Sequence, residues 1–242
     1  MVNELPDANS LLEETDWSHL EHGGGPAALR TPVKLVGLVS GNSGAATIAL
    51  DHLWNDLLHQ GSLYSATPAA ALYVAAVLGE PRSRESLTAP HRSELLEWLA
   101  ETAYAVSVSR ERQREAWLDP AVMARNPLFS EVRAIRPILF RGVFPHISDS
   151  DKDVAEAALL AAAHLLDAPE LASHIGAVAP KVRSVLAVSP KQGYRDAAIS
   201  RLAAWGEDTT SLKDAAGSME KEGDSWNRFW NSDRGSLDKP PF

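Results

Sequence analysis

Ala- and Leu-rich stretches with helical spacing recur along this chain, each closed by Gly, Pro or Asn, and no segment alternates polar and apolar residues as a half-buried strand does. A chain patterned this way buries its apolar faces by laying helix against helix, so the expected fold class is all-α. With 242 residues, 45% of them hydrophobic, there is enough apolar material for a sizeable core.

The punctuation predicts the elements. A short acidic helix is expected in residues 1–22, holding Leu11, Leu12, Trp17 and Leu20, and His22-Gly-Gly-Gly25 breaks it. Pro26 is placed to start a helix over 26–40 that carries Leu29, Val33, Val36 and Val39 at helical spacing. Gly41 to Gly44 turns the chain into a helix over 43–60 with an apolar face of Ile48, Leu50, Leu53, Trp54, Leu57 and Leu58. Thr67 and Pro68 read as N-cap and first residue of an almost wholly apolar helix ending at 79. Further helices are expected over 90–108, 110–126, 127–142 (kinked or split at Pro137), 151–167 after a capping cluster, 170–188 and 191–205. Residues 1–206 are thus read as one helical domain. Residues 207–242 are read as a polar, irregular tail, flexible or docked through Trp226, Phe229 and Trp230.

Charge and cysteine usage exclude several functions. A formal net charge of −9 repels nucleic-acid phosphates and anionic membranes, so neither is an expected partner. The absence of cysteine removes disulfides, thiolate metal sites and cysteine nucleophiles. The N-terminus lacks the pattern of a signal peptide, and the longest apolar run, 68–78, is short of the roughly 20 residues of a membrane span, so a cytoplasmic location is expected.

One stretch carries a resemblance. Leu53, His59, Gln60, Gly61, Tyr64, Ala66 and Thr67 stand at the spacing Leu-x5-His-Gln-Gly-x2-Tyr-x-Ala-Thr. That element, with the preceding Gly-rich segment to Pro26 and Thr31-Pro32-Val33, resembles the HEAT-like repeat proteins of bacteria over residues 17–78. The resemblance implies a right-handed α-solenoid of about ten helices and a protein-interaction role, and it implies no reaction.

The residues themselves offer little chemistry. His52 and His59 lack metal-ligand spacing; His59 and Gln60 are instead expected to hydrogen-bond a turn in which Gly61 is left-handed and Tyr64 packs above. Gly23 to Gly25 lacks the strand and lysine of a phosphate-binding loop, and no nucleophile elbow is present around Ser107 or Ser109. No catalytic residue, metal or cofactor is therefore expected. Two binding surfaces are. Arg110, Arg112, Arg114, Arg133 and Arg136, interleaved with Glu111 and Glu131, form either a solvated ion-paired face or a positive groove. Glu13, Glu14 and Trp17 could present carboxylates to a basic partner, as small acidic immunity proteins do. The expected function is a non-enzymatic protein-binding module of immunity or adaptor type; the alternative is a HEAT-like nucleic-acid enzyme of DNA-glycosylase type, against which the net charge weighs.

Overall fold

A computed structural model describes residues 5–115 and 126–219. It is mostly helical, 75% helix against 2% strand, which makes the fold all-α. The α-helices are α1 (Ala8–Glu14), α2 (Thr31–Leu35), α3 (Ser43–His52), α4 (Thr67–Gly79), α5 (Ser83–Ser86), α6 (Ala89–Ala105), α7 (Val108–Glu115), α8 (Pro127–Val143), α9 (Lys152–Leu165), α10 (Ile175–Ser184), α11 (Gln192–Ala204) and α12 (Thr210–Met219). Short polar side chains start several of them. Asp7, Asn42, Asn126 and Asp151 each accept a backbone N–H from the first turn of the helix that follows.

By its internal contacts the chain divides into two compact units, residues 1–178 and 179–242. The core of the first is built on α4, α6, α8 and α9. The most extensive helix contacts join α6 to α9 and α4 to α8, with α1 against α4 and α3 against α6. Trp98, Tyr73 and a set of leucines that includes Leu95, Leu96, Leu99 and Leu139 are wholly buried there. Gly142 of α8 meets the backbone of Ala75 in α4, an approach that leaves no room for a Cβ. In the second unit, Arg183 joins the Glu207 carboxylate (2.9 Å) and the Asp208 carbonyl (2.8 Å), and Arg195 donates to the Ser189 and Pro190 carbonyls.

Several expectations are corrected. Residues 26–40 are not one helix. Glu21–His22 pairs antiparallel with Gly25–Pro26 in a minimal hairpin, Pro26 lies in that hairpin, and α2 begins at Thr31 and continues as a 3-10 turn over Val36–Val39. The expected 43–60 helix ends α-helically at His52 and passes through a π turn at Leu53–Leu57. Thr67 does not cap α4. Its hydroxyl donates to the Leu57 carbonyl (2.6 Å) and accepts the Tyr64 N–H (2.9 Å), so it ties the turn instead of the helix start. Helix α8 runs unbroken through Pro137, whereas residues 169–188 break into 3-10 turns around α10. Thr210–Met219 is helical within the stretch expected to be an irregular tail. Trp226, Phe229 and Trp230 lie outside the described residues, as do residues 116–125.

Candidate functional site

One titratable cluster among the described residues joins the hairpin, α2 and the end of α3. The Thr31 hydroxyl lies 2.9 Å from Nε2 of His52, whose Nδ1 lies 2.6 Å from a carboxylate oxygen of Asp56. Lys34 Nζ stands 3.7 Å from the same Asp56 oxygen, and the His22 ring meets the His52 ring edge-on at 5.1 Å. Burial lowers the His52 pKa, against the pull of Asp56. Burial pushes the Asp56 carboxyl up, but the His52 hydrogen bond and the nearby cations outweigh it and hold it below its ordinary value. The consistent state is a neutral imidazole donating to an ionised carboxylate and accepting from a hydroxyl. That connectivity is that of an acid–base relay. Thr31 and His52 are nonetheless sealed, at 0% and 1% exposure, so no substrate reaches the hydroxyl. The cluster acts as a polar rivet between three segments. No group of three or more His, Asp or Glu among the described residues is placed to hold a metal ion.

The arginines expected to form a binding face are largely engaged with one helix end. The last carbonyls of an α-helix lack intrahelical partners and carry partial negative charge, which draws cations. At the end of α6, Arg114 donates to the Ala105 carbonyl, Arg136 to the Ala103 and Val106 carbonyls, and Arg133 to the Val106 carbonyl and to Glu111 (2.9 Å). Arg136 is buried. Arg114 also reaches the Gly61 carbonyl and stacks over Phe129; burial, then the neighbouring Arg110 charge, lower its pKa. Arg110 pairs with Gln113, and Arg112 is exposed. The structure thus brings Arg114, Arg133 and Arg136 together, pointed at backbone.

Of the expected turn, the left-handed Gly61 is present, whereas the exposed His59 and Gln60 side chains make no hydrogen bond to it. His59–Gly61 forms a 3-10 turn with Gly61 at φ 73° and Gln60 at φ 52°. Tyr64 lies against Gly23, where a Cβ would sit 3.0 Å from its hydroxyl, and the Gly23 N–H donates to the Asp56 carbonyl. In the N-terminal segment, Glu13 and Glu14 are exposed, while Trp17 is buried with its indole N–H on the Leu12 carbonyl (3.1 Å).

One surface had no marker in the sequence beyond its period. Leu29, Val33, Val36 and Val39 stand 86%, 72%, 48% and 37% exposed, and Ile48 of α3 is 56% exposed. Leu35 and Leu38 are the large apolar side chains this segment buries. Gly37 fixes that choice, because it lies against the Ala45 carbonyl of α3 with no room for a side chain. Val39 also lines a cleft of ≈ 540 Å³ with Ala8, Asn9 and Val77, into which Glu80, Arg82 and Glu85 bring charge. One turn along α3 from Ile48 is Asp51, which with Glu97 repels the Glu94 carboxyl; burial first, then this repulsion, raise the Glu94 pKa, opposed by a hydrogen bond with Trp54. Exposed apolar patches, where large and contiguous, mark interaction sites on proteins.

No family model matches the chain, and no curated protein or solved structure matches it either. No helix among the described residues is long and apolar enough to cross a membrane.

Proposed function

We propose that this chain is a protein-binding module of adaptor or immunity type, which engages its partner through the apolar stripe of Leu29, Val33, Val36 and Val39. The observation that carries the reading is the exposure of four apolar side chains within residues 29–39, Leu29 in the turn before α2, Val33 in α2, and Val36 and Val39 in the 3-10 turn that follows. Leaving them in water forgoes roughly 1.5–3 kcal/mol of burial for each fully covered side chain, which a partner can recover. A HEAT-like solenoid is the architecture this reading favours. It is supported by contacts that alternate along the chain, α4 with α8 and α6 with α9, as in two stacked helical layers. Transformation of a substrate finds less support, since Thr31 and His52 of the relay-like cluster found among the described residues are closed to solvent. Nucleic-acid binding needs arginines free for phosphate, and Arg114, Arg133 and Arg136 hold backbone carbonyls.

The test pairs capture with footprinting. Tagged full-length chain and its Val33→Glu/Val36→Glu variant are used to capture proteins from a lysate of the source organism, and hydrogen exchange is then measured on the purified complex. The expected outcome is a partner held by the parent and lost by the variant, with residues 29–39 protected in the complex. A partner retained equally by both chains would contradict the proposal.

A further inference from the structure

The hairpin is anchored by a titratable side chain. Of residues 21–26, His22 is the one that is buried, and Gly23 and Gly24 at the tip have no side chain to bury. Backbone groups hold the rest. The Glu21 N–H donates to the Ser65 hydroxyl (2.8 Å), the Ala66 N–H to the Glu21 carbonyl (3.0 Å) and the Gly23 N–H to the Asp56 carbonyl (2.7 Å). The Ala27 N–H donates to the Leu20 carbonyl (2.8 Å). A segment that buries so little apolar surface opens at lower cost than the core helices around Trp98.

The His22 ring is held in one protonation state. Its Nδ1 accepts the Gly24 N–H at 2.9 Å, so the ring is neutral and carries its proton on Nε2. That Nε2 is buried and has no hydrogen-bond partner among the described residues. Water would satisfy it once the tip opens, which lowers the cost of release. A second proton, on Nδ1, would stand donor against donor with the Gly24 N–H. The charged ring and the closed tip therefore exclude one another.

The neighbouring charges do not favour a second proton either. The charged and titratable groups on the elements around the ring are His52 of α3, Lys34 of α2, Asp56 of the π turn and Tyr64 of the turn beyond it. Asp56 is the carboxylate among them, and it already faces the His52 Nδ1 (2.6 Å) and the Lys34 ammonium (3.7 Å). A charged His22 would share that one counter-ion with Lys34.

We infer that the hairpin is an acid-released clasp, in which proton uptake at His22 Nδ1 detaches residues 21–26 from the π turn while the core helices stay folded. The step takes one proton from solvent and breaks the Gly24 N–H to Nδ1 hydrogen bond. Acid drives it by mass action, because the open form holds the proton that the closed form excludes.

Amide hydrogen exchange and ring titration of the isotope-labelled full chain test this together. At about pH 7.5 the Gly23, Gly24 and Ala27 amides should be protected at least about a hundredfold. At about pH 5.5 that protection should fall below about tenfold, while the α6 amides stay protected at least about a thousandfold. In the same series, imidazole nitrogen resonances should show His22 Nδ1 gaining its proton at the pH where Gly24 loses protection. His22→Asn offers an acceptor near the position of Nδ1 and cannot take the proton, so its tip should stay protected throughout. Protection of the parent's tip that persists in acid overturns the clasp, and so does its loss together with that of α6, which is global unfolding. Equal acid release in His22→Asn overturns it in favour of His52 as the trigger. Where His22→Asn is open already at neutral pH, the parent decides. Ring and amide midpoints that coincide then support the clasp, and midpoints more than about half a pH unit apart overturn it.

Discussion

His52 shows how much of this protein is decided by single side chains. It binds Thr31 and Asp56 with its two ring nitrogens and lies against His22 from the hairpin, with Lys34 of α2 also facing it. Its folded pKa is lowered from 6.5, chiefly by burial. The unfolded chain therefore takes up a proton near pH 6.5 that the folded chain refuses until lower pH, and stability falls as pH drops below about 6.5. Asp56 adds a second loss at more acid pH, since its stabilising contribution is present above its unfolded value of 3.8 and disappears as pH falls through its lower folded value. Glu94 has the opposite sign, with its pKa raised above 4.5. Thermal melts followed by circular dichroism should show the parent losing stability between about pH 7.5 and 5.5, and a His52→Gln variant losing less over the same window. Identical slopes in the two chains would contradict this account of His52. At this scale the turn was legible: Gly61 announces positive φ, and the spacing to Tyr64 and Thr67 marks a packed turn. The rivet was not, because His52 and Asp56 stand only four residues apart but Thr31, Lys34 and His22 join them only after the hairpin and α2 fold back onto α3. His59, the more conspicuous histidine of the motif, is exposed.

At the scale of elements, period was easier to read than orientation. The segment from 27 to 39 has apolar residues on two faces, one holding Leu29, Val33, Val36 and Val39 and the other Ala27, Leu35 and Leu38. Spacing alone cannot rank them, and the usual reading of such a stripe is a core face. The ranking comes from Gly37, which lets this element close on the Ala45 carbonyl with the Leu35 and Leu38 side inward. The arginines follow the same logic. Their interleaving with glutamates suggested a solvated face, yet the open carbonyls at the end of α6 claim Arg114, Arg133 and Arg136. Gly142 is the element-scale constraint most open to test, since an added methyl would overlap the Ala75 backbone and force α8 off α4. Gly142→Ala is expected to cost about 1–3 kcal/mol in urea unfolding, despite the better helix propensity of alanine. A variant as stable as the parent would mean that α4 and α8 do not cross there at backbone contact.

For the whole molecule, the all-α class followed from helical rhythm without strand alternation, and the structure agrees. The division after residue 178 did not follow, because Pro169 and Ser189-Pro190 punctuate helices in the same way whether a compact unit ends near them or continues. The exposed stripe was hidden for a related reason: an apolar stripe left on the surface and one kept for the core have the same sequence period. The central claim is that Leu29, Val33, Val36 and Val39 belong to a surface of the isolated chain. Equilibrium urea unfolding of Val33→Asp/Val36→Asp, with Leu35→Ala as the buried reference, tests it most directly. The double variant should stay within about 1 kcal/mol of the parent, as exposed substitutions do, while Leu35→Ala should lose about 2–5 kcal/mol. A double variant that loses as much stability as Leu35→Ala would place the stripe in the core and contradict the account.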